Sequence, residues 1–495
     1  MTLFAKKLEK DSLRHLVLAV FTFIVIFDMG LGFLNIDLRV VILTPMRLVS
    51  LLLSLFFFGN QVLAFIKERT LPRWGRYRYF ALLYFMAMAV YGLFWLFFGE
   101  TNMISRTEIM GVIFITSNLY CYVNLVRDRK DLRFFLQWLV VCGILLAILA
   151  SIECVTGSFF PHGAYNISLE EKISRKQTLF PPSVVFGNTN DLASILFLCL
   201  ALVGNFFLHA KSQKKEAICF GIMLLLLLPT PMISSTIFEL CFCFLTVLLM
   251  VLVFFFHRRN RRTMVRKLFF LLALLALYQL VYLPLIRWTF IRLNSLYYDS
   301  LIRTYLQTHP MAGLENLDLE ILGNNTVYAT DSFGSQIKNF GNGYGTIHYR
   351  FWLIVAGLSF FLSHPILGVG PGNYRSMLES NAYFFQQTSG IIDPHNFYME
   401  LLSQYGLLFF LPMLYFYVKL FLHGLHLIRR REGRDQRYFG SLLLLLLICC
   451  ALICVLPSSM LRFSAFWLFF IALVLAADLT PTGAAEAERG DKELE

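Results

Sequence analysis

Charge is scarce in this chain. Lys, Arg, Asp and Glu make up only 15% of its 495 residues, where a soluble domain carries about a quarter. That excludes an ordinary soluble enzyme. The ten cysteines all lie in apolar runs and no CxxC spacing occurs. A disulfide framework and a thiolate metal site are therefore not expected. The sequence has no Walker A loop, no HExxH and no Asp-x-Asp. It gives no support to ATP- or metal-dependent chemistry, and neither a metal nor a cofactor is expected. The opening MTLFAKKLEKDSLR is followed by an apolar run without a small-residue cleavage site. That run reads as a retained span.

Apolar residues are what the chain has in excess. They reach 58%, with a mean hydropathy of +0.65. Runs long enough to cross a bilayer recur along the whole length. Spans are expected near 16–35, 40–62, 79–98, 107–126, 134–155, 190–209, 216–231, 235–256, 268–286, 397–422, 439–457 and 461–478. The reading is an all-α, polytopic helical membrane protein with about 12 transmembrane helices. The net charge of +12 is then a topology signal. One set of connections reads KKLEKDSLR, KERTLPRWGRYR, RDRKDLR, KSQKKE, HRRNRRTMVRK and RRREGRDQR, while those between carry few cations. The basic set faces the cytoplasm by the positive-inside rule, as do both termini. Basic residues beside an anionic leaflet call for membrane lipids and no nucleic acid.

The run FWLIVAGLSFFL, 351–362, has only 12 residues. Such a length suits an interfacial or re-entrant helix better than a crossing. Residues 287–396 then form one large extracytoplasmic loop with short interfacial helices. Spans one to nine occupy 1–286, spans ten to twelve 397–478, and a polar cytoplasmic tail 479–495.

Three polar elements lie on the outer side of this scheme. FGNTNDLASIL, 186–196, opens span six, and its plain reading is a helix cap by Thr189 or Asn190. HYRFWLIVAGLSFFLSHPILGVGPGNY covers 348–374. Its GVGPGN is not a dinucleotide loop, because residue 373 is Asn and no strand-to-helix unit surrounds it. It reads as a tight turn or, more sharply, as a nest of N–H groups for phosphate. DPHNFYMELLSQYG, 393–406, puts His395 at the mouth of span ten. Arg47 lies within span two, with Asp28 near the end of span one as a possible counter-charge. Arg375, Asp393 and His348 are further loop candidates, and His423 and His426 end span ten as interfacial residues.

In this order on a twelve-span chain, the elements resemble the O-antigen ligase/polymerase family. The resemblance is closest over 347–412. Arg350 and Trp352 are followed by Pro365, Gly368, Gly370 and Gly372, then His395-Asn396, nine residues and Gly406. FGNTNDLA, with Asn188 and Asn190, is similar to the family's opening of a middle span. Two positions depart from the pattern: Phe409 replaces a small residue, and Ser235 stands where the family has an arginine. By depth Arg47 is the candidate to replace that arginine.

The resemblance implies an integral membrane glycosyltransferase acting on a polyprenyl-diphosphate-linked oligosaccharide. The acceptor is a glycan, lipid or cell-wall component. The setting is the outer face of a bacterial cytoplasmic (inner) membrane. Such transfer must deprotonate an acceptor hydroxyl and stabilise a leaving diphosphate. Histidine suits the first task and arginine the second. The expected catalytic residues are His395 and Arg350. The expected substrate contacts are Arg47, Arg375, Asn396, Asn188, Asn190, Gly370 and Gly372. An interfacial anchor remains the plain reading of Arg350, and a helix cap that of His395. The competing class is a transporter of a small anion or solute. Transporters place polar sites near the midplane, whereas here the polar motifs lie at one rim.

Overall fold

The structure, a computed structural model, describes residues 11–28, 36–37, 42–69, 74–99, 103–156, 182–186, 188–233, 236–294, 296–297, 343–388, 391–430, 434–457 and 459–480. Helices dominate, and a two-residue antiparallel pair, Ile36–Asp37 with Ile42–Leu43, is the strand pairing among the described residues. Each expected span meets a helix. In chain order these are α1 Asp11–Phe27, α2 Pro45–Glu68, α3 Arg76–Phe98, α4 Met103–Leu125, α5 Arg129–Thr156 and α6 Thr189–Leu208. There follow α7 Gln213–Leu227 with the short α8 Thr230–Ile233, α9 Thr236–His257 and α10 Arg261–Leu277. Then come α11 Gly343–Ser363, α12 Asn373–Ser380, α13 Ala382–Gln387, α14 Phe397–Arg430, α15 Arg434–Ile453 and α16 Ser464–Asp478. Ten helical segments among the described residues are long and apolar enough to cross a membrane. The chain is an all-α, multi-pass membrane protein.

Local chemistry sets the ends that hydropathy left open. Thr44-Pro45 starts α2 later than expected: Thr44 Oγ1 accepts the Arg47 N–H at 3.3 Å, and proline fills the first helical position. Past Leu277 the helix widens into π-type turns over Tyr278–Ile286 around Pro284, which has no N–H to donate. It runs on to Asn294, past the 286 at which span nine was expected to end. The 12-residue run at 351–362 belongs to the 21-residue α11, because the polar GYGTIHYR stretch is helical too. The rest of the expected loop, 298–342, lies outside the described residues, as does Ser235.

The chain divides into two compact units. One comprises 1–142, 197–209 and 352–495, and the other 143–196 and 210–351. The first is built around α16. Residues 465–477 are all buried, as an all-apolar helix requires. It contacts α1, α3, α4, α14 and α15. Trp467 meets Phe85 edge-on at 5.0 Å and donates through Nε1 to the Met460 carbonyl at 2.9 Å. Asp478 accepts the N–H groups of Gly75 and Tyr77, at 2.9 and 3.3 Å, and pairs with Arg78 at 3.0 Å. A carboxylate there meets the exposed donors at the start of α3. The second unit is held by a buried Glu216 that receives Arg266 at 2.6 and 2.9 Å and by a core of Cys154, Met232 and Phe290. All ten cysteines are free.

Candidate active site

A break in α14 organises the polar end of the first unit. Gly406 has φ 65° and ψ −168°, so the helix is interrupted there. In an unbroken helix the N–H groups of Leu407 and Leu408 would bond the carbonyls of Ser403 and Gln404. They turn instead to Pro365 and Ile366, at 2.9 and 3.1 Å. The released Ser403 and Gln404 carbonyls accept Val369 and Gly370 N–H, at 2.8 and 3.0 Å. Four backbone groups thus exchange partners with the 365–370 turn, which satisfies them inside an apolar chain. Gly368 is also in the left-handed region, at φ 72°, and a Cβ on it would overlap the Gln404 carbonyl.

This exchange explains the motif glycines. The Gly372 N–H donates to Gln404 Oε1, the Gly368 N–H to His364 and the Asn373 N–H to Gly370. The N–H groups of 368, 369, 370, 372 and 373 are therefore all used internally. Gly370 and Gly372 build the turn, and the phosphate nest considered from the sequence is replaced by this backbone pairing.

The turn before α14 is clamped from both sides. Asp393 receives Arg375 through Nε and Nη2, at 2.8 and 2.7 Å, and Arg462 Nη2 at 2.5 Å. Burial opposes its charge, but the Arg375 bond and the two guanidinium charges hold its carboxyl below the ordinary value. On the other side Asn396 Oδ1 accepts Tyr398 and Met399 N–H, at 3.0 and 3.2 Å. Asn396, not His395, is therefore the cap of α14. His395 lies between these anchors at φ 46°, where a side chain other than Gly is strained. Its Nδ1 is 3.5 Å from the Leu456 carbonyl. A carbonyl only accepts, so the contact favours the proton on Nδ1 and the lone pair on Nε2.

Beneath the turn runs a polar stripe that the sequence reading missed. Glu400, Ser403 and Gln404 are buried on α14, and Glu108 is buried on α4. Glu400 accepts the Ser459 hydroxyl and, at 2.9 Å, the Met460 N–H. Glu108 interacts electrostatically with Glu400 and Arg462, and its Oε1 is buried without a hydrogen-bond partner among the described residues. The signal was present: Asn396, Glu400 and Gln404 repeat every four residues on one helix face.

Of the expected residues, the first unit brings together His395, Asn396, Arg375, Gly370 and Gly372. Arg375 is paired with Asp393 rather than alone. Arg47 lies in the same unit, with its guanidinium 5.4 Å from the Phe114 ring centroid, and Asp28 Oδ1 accepts the neighbouring Met46 N–H at 2.8 Å. Arg350, Asn188 and Asn190 belong to the second unit. Arg350 is half-buried on α11. Asn188 is the cap of α6, accepting the Asn190 N–H at 2.9 Å, where Thr189 or Asn190 was expected to cap.

Residues 242–414 match the family described as O-antigen ligase. The match takes in Arg350, the glycine turn, the His395 turn and the break at Gly406. No curated protein matches the chain. Over that segment, about a third of its length, the chain is similar to the O-antigen ligase family.

Proposed function

We propose that this membrane protein transfers an oligosaccharide from a polyprenyl-diphosphate carrier to an acceptor hydroxyl. The setting is the outer face of a bacterial cytoplasmic membrane. The observation that supports this most is the His395 turn inside the family segment. It holds a strained imidazole between a doubly paired Asp393 and the Asn396 cap, and the Leu456 contact favours a basic Nε2.

In the proposed step His395 Nε2 takes the acceptor hydroxyl proton. The acceptor oxygen forms a bond to the anomeric carbon as the carbon–oxygen bond to the diphosphate breaks. The electron pair leaves with the diphosphate, and one displacement inverts the anomeric centre. The family resemblance gives Arg350 the diphosphate oxygens, which a planar guanidinium binds bidentately. Arg375 and Arg462 share a single carboxylate. That triad gathers two guanidiniums beside the base.

The test uses purified protein, a lipid-linked glycan and an acceptor. His395→Ala is expected to insert and elute as the parent does, yet consume donor about 10²–10⁴-fold more slowly. Parent-rate transfer by the alanine variant would reduce His395 to a structural residue and remove the proposed step.

A further inference from the structure

A second site lies at the other end of α14, away from His395. Between the start of α3 and the last turns of α14 there is an open cavity of about 530 Å³. Arg76, Lys419, His423 and His426 line it, and among its described lining residues there is no carboxylate. Phe80 and Phe416, stacked at 4.6 Å, give it an apolar wall. The cations rest on aromatic faces. Arg76 lies 4.9 Å from the Tyr77 ring centroid, and Lys419 Nζ lies 5.3 Å from that of Tyr415.

His423 lines the recess and is 6% exposed. At the mouth, Tyr415 and Leu422 are 55% and 53% exposed. In a multi-pass membrane protein such side chains meet hydrocarbon. The stretches KERTLPRWGRYR and RRREGRDQR, which lead into α3 and out of α14, are both basic. Cations and an apolar mouth thus meet in one recess.

We propose that this cavity binds the head of an anionic glycerophospholipid. Arg76 and Lys419 neutralise its phosphate, and the acyl chains lie along Tyr415 and Leu422. Free phosphate shares the charge but would leave the apolar wall and mouth without a partner. Basic pockets between membrane helices take acidic lipid heads for the same reason.

The experiment is native mass spectrometry and detergent melting of the full chain. Dioleoyl phosphatidylglycerol, dioleoyl phosphatidylcholine and inorganic phosphate are added separately. The parent is expected to retain phosphatidylglycerol and melt higher with it, and to respond little to the other two. Arg76→Gln with Lys419→Gln removes two exposed side chains, so the fold should persist. Affinity should fall about fivefold for each cation lost. Three results would each overturn the proposal: equal retention of phosphatidylcholine, equal stabilisation by phosphate alone, or parent affinity in the double glutamine variant.

Discussion

Asp393 holds two guanidiniums on one carboxylate, and its charge is what makes their closeness tolerable. Removing one partner of such a group leaves uncompensated charge, which costs more than the pair itself contributes. Asp393→Asn should therefore lower the melting temperature. The sign with pH follows from the lowered carboxyl value. A depressed folded value gives stability that is fully present above the unfolded value, about 4. That stability disappears as pH falls through the lowered folded value. The gap between parent and Asp393→Asn melting curves should stay constant from neutrality to about pH 5 and narrow below about 4. A constant gap down to strong acid would show that the clamp carries no charge-dependent stability. Arg350 tests geometry instead. Arg350→Lys keeps the charge and loses the planar fork, so donor turnover in vitro should fall sharply at equal protein yield. Full turnover by the lysine variant would deny Arg350 the diphosphate. At this scale the sequence exposed the candidate residues but not their partners. Arg375 and Arg462 are 87 residues apart, and nothing local to either predicts that they converge on Asp393. Asn396 took the capping role that a residue-type argument could equally assign to its neighbour.

Among the elements, the break in α14 carries the site. Hydropathy reads 397–422 as one span, since the apolar pattern continues through Gly406. The helix itself was therefore legible. The interruption was visible only as a family spacing, because its cause is an exchange of backbone partners with residues some 40 positions earlier in the chain. Gly406 occupies a backbone region that side chains avoid, and a Cβ would also overlap the Ile366 carbonyl. Gly406→Ala should cost about 1–3 kcal/mol, read as an earlier melting transition in detergent. Gly221 is the control. It lies within helix α7, and a Cβ on it would meet nothing within 4 Å. Gly221→Ala should be neutral or raise stability by about 0.5–1 kcal/mol. If both alanines behave alike, the break tolerates a side chain and the argument from the turn fails. The same exchange explains why α14 can be polar at one end. Once the helix is open at Gly406, the buried Ser403 and Gln404 carbonyls already have partners, so the polar stripe adds side chains without adding orphaned backbone groups.

For the whole molecule, the alternation of basic and cation-poor connections predicts which side each faces. Residues 287–396 are expected outside. A single cysteine at position 332, in a cysteine-free background, should react with an impermeant maleimide added to intact cells from outside. Labelling only after the inner face is opened would invert the scheme and move His395 to the cytoplasm. The count of helices was the most legible feature, since each long apolar run can be satisfied only as a helix or a closed barrel. Packing was not legible, because lipid-facing and protein-facing positions carry the same residue types. Nothing in the SAFWLFFIALVLAAD stretch distinguishes it from its neighbours, yet α16 is the helix that the first unit surrounds. That placement has a consequence for biosynthesis. All five helices that α16 touches leave the ribosome before it. Until residue 478 has been translated, those helices sit in the bilayer around a missing centre, with the 143–196 and 210–351 segments already made between them. The ordering of this unit is therefore a late event in translation. A stop codon at position 464, which removes α16 and the residues after it, should leave nearly all of the chain inserted yet exposed to membrane proteases.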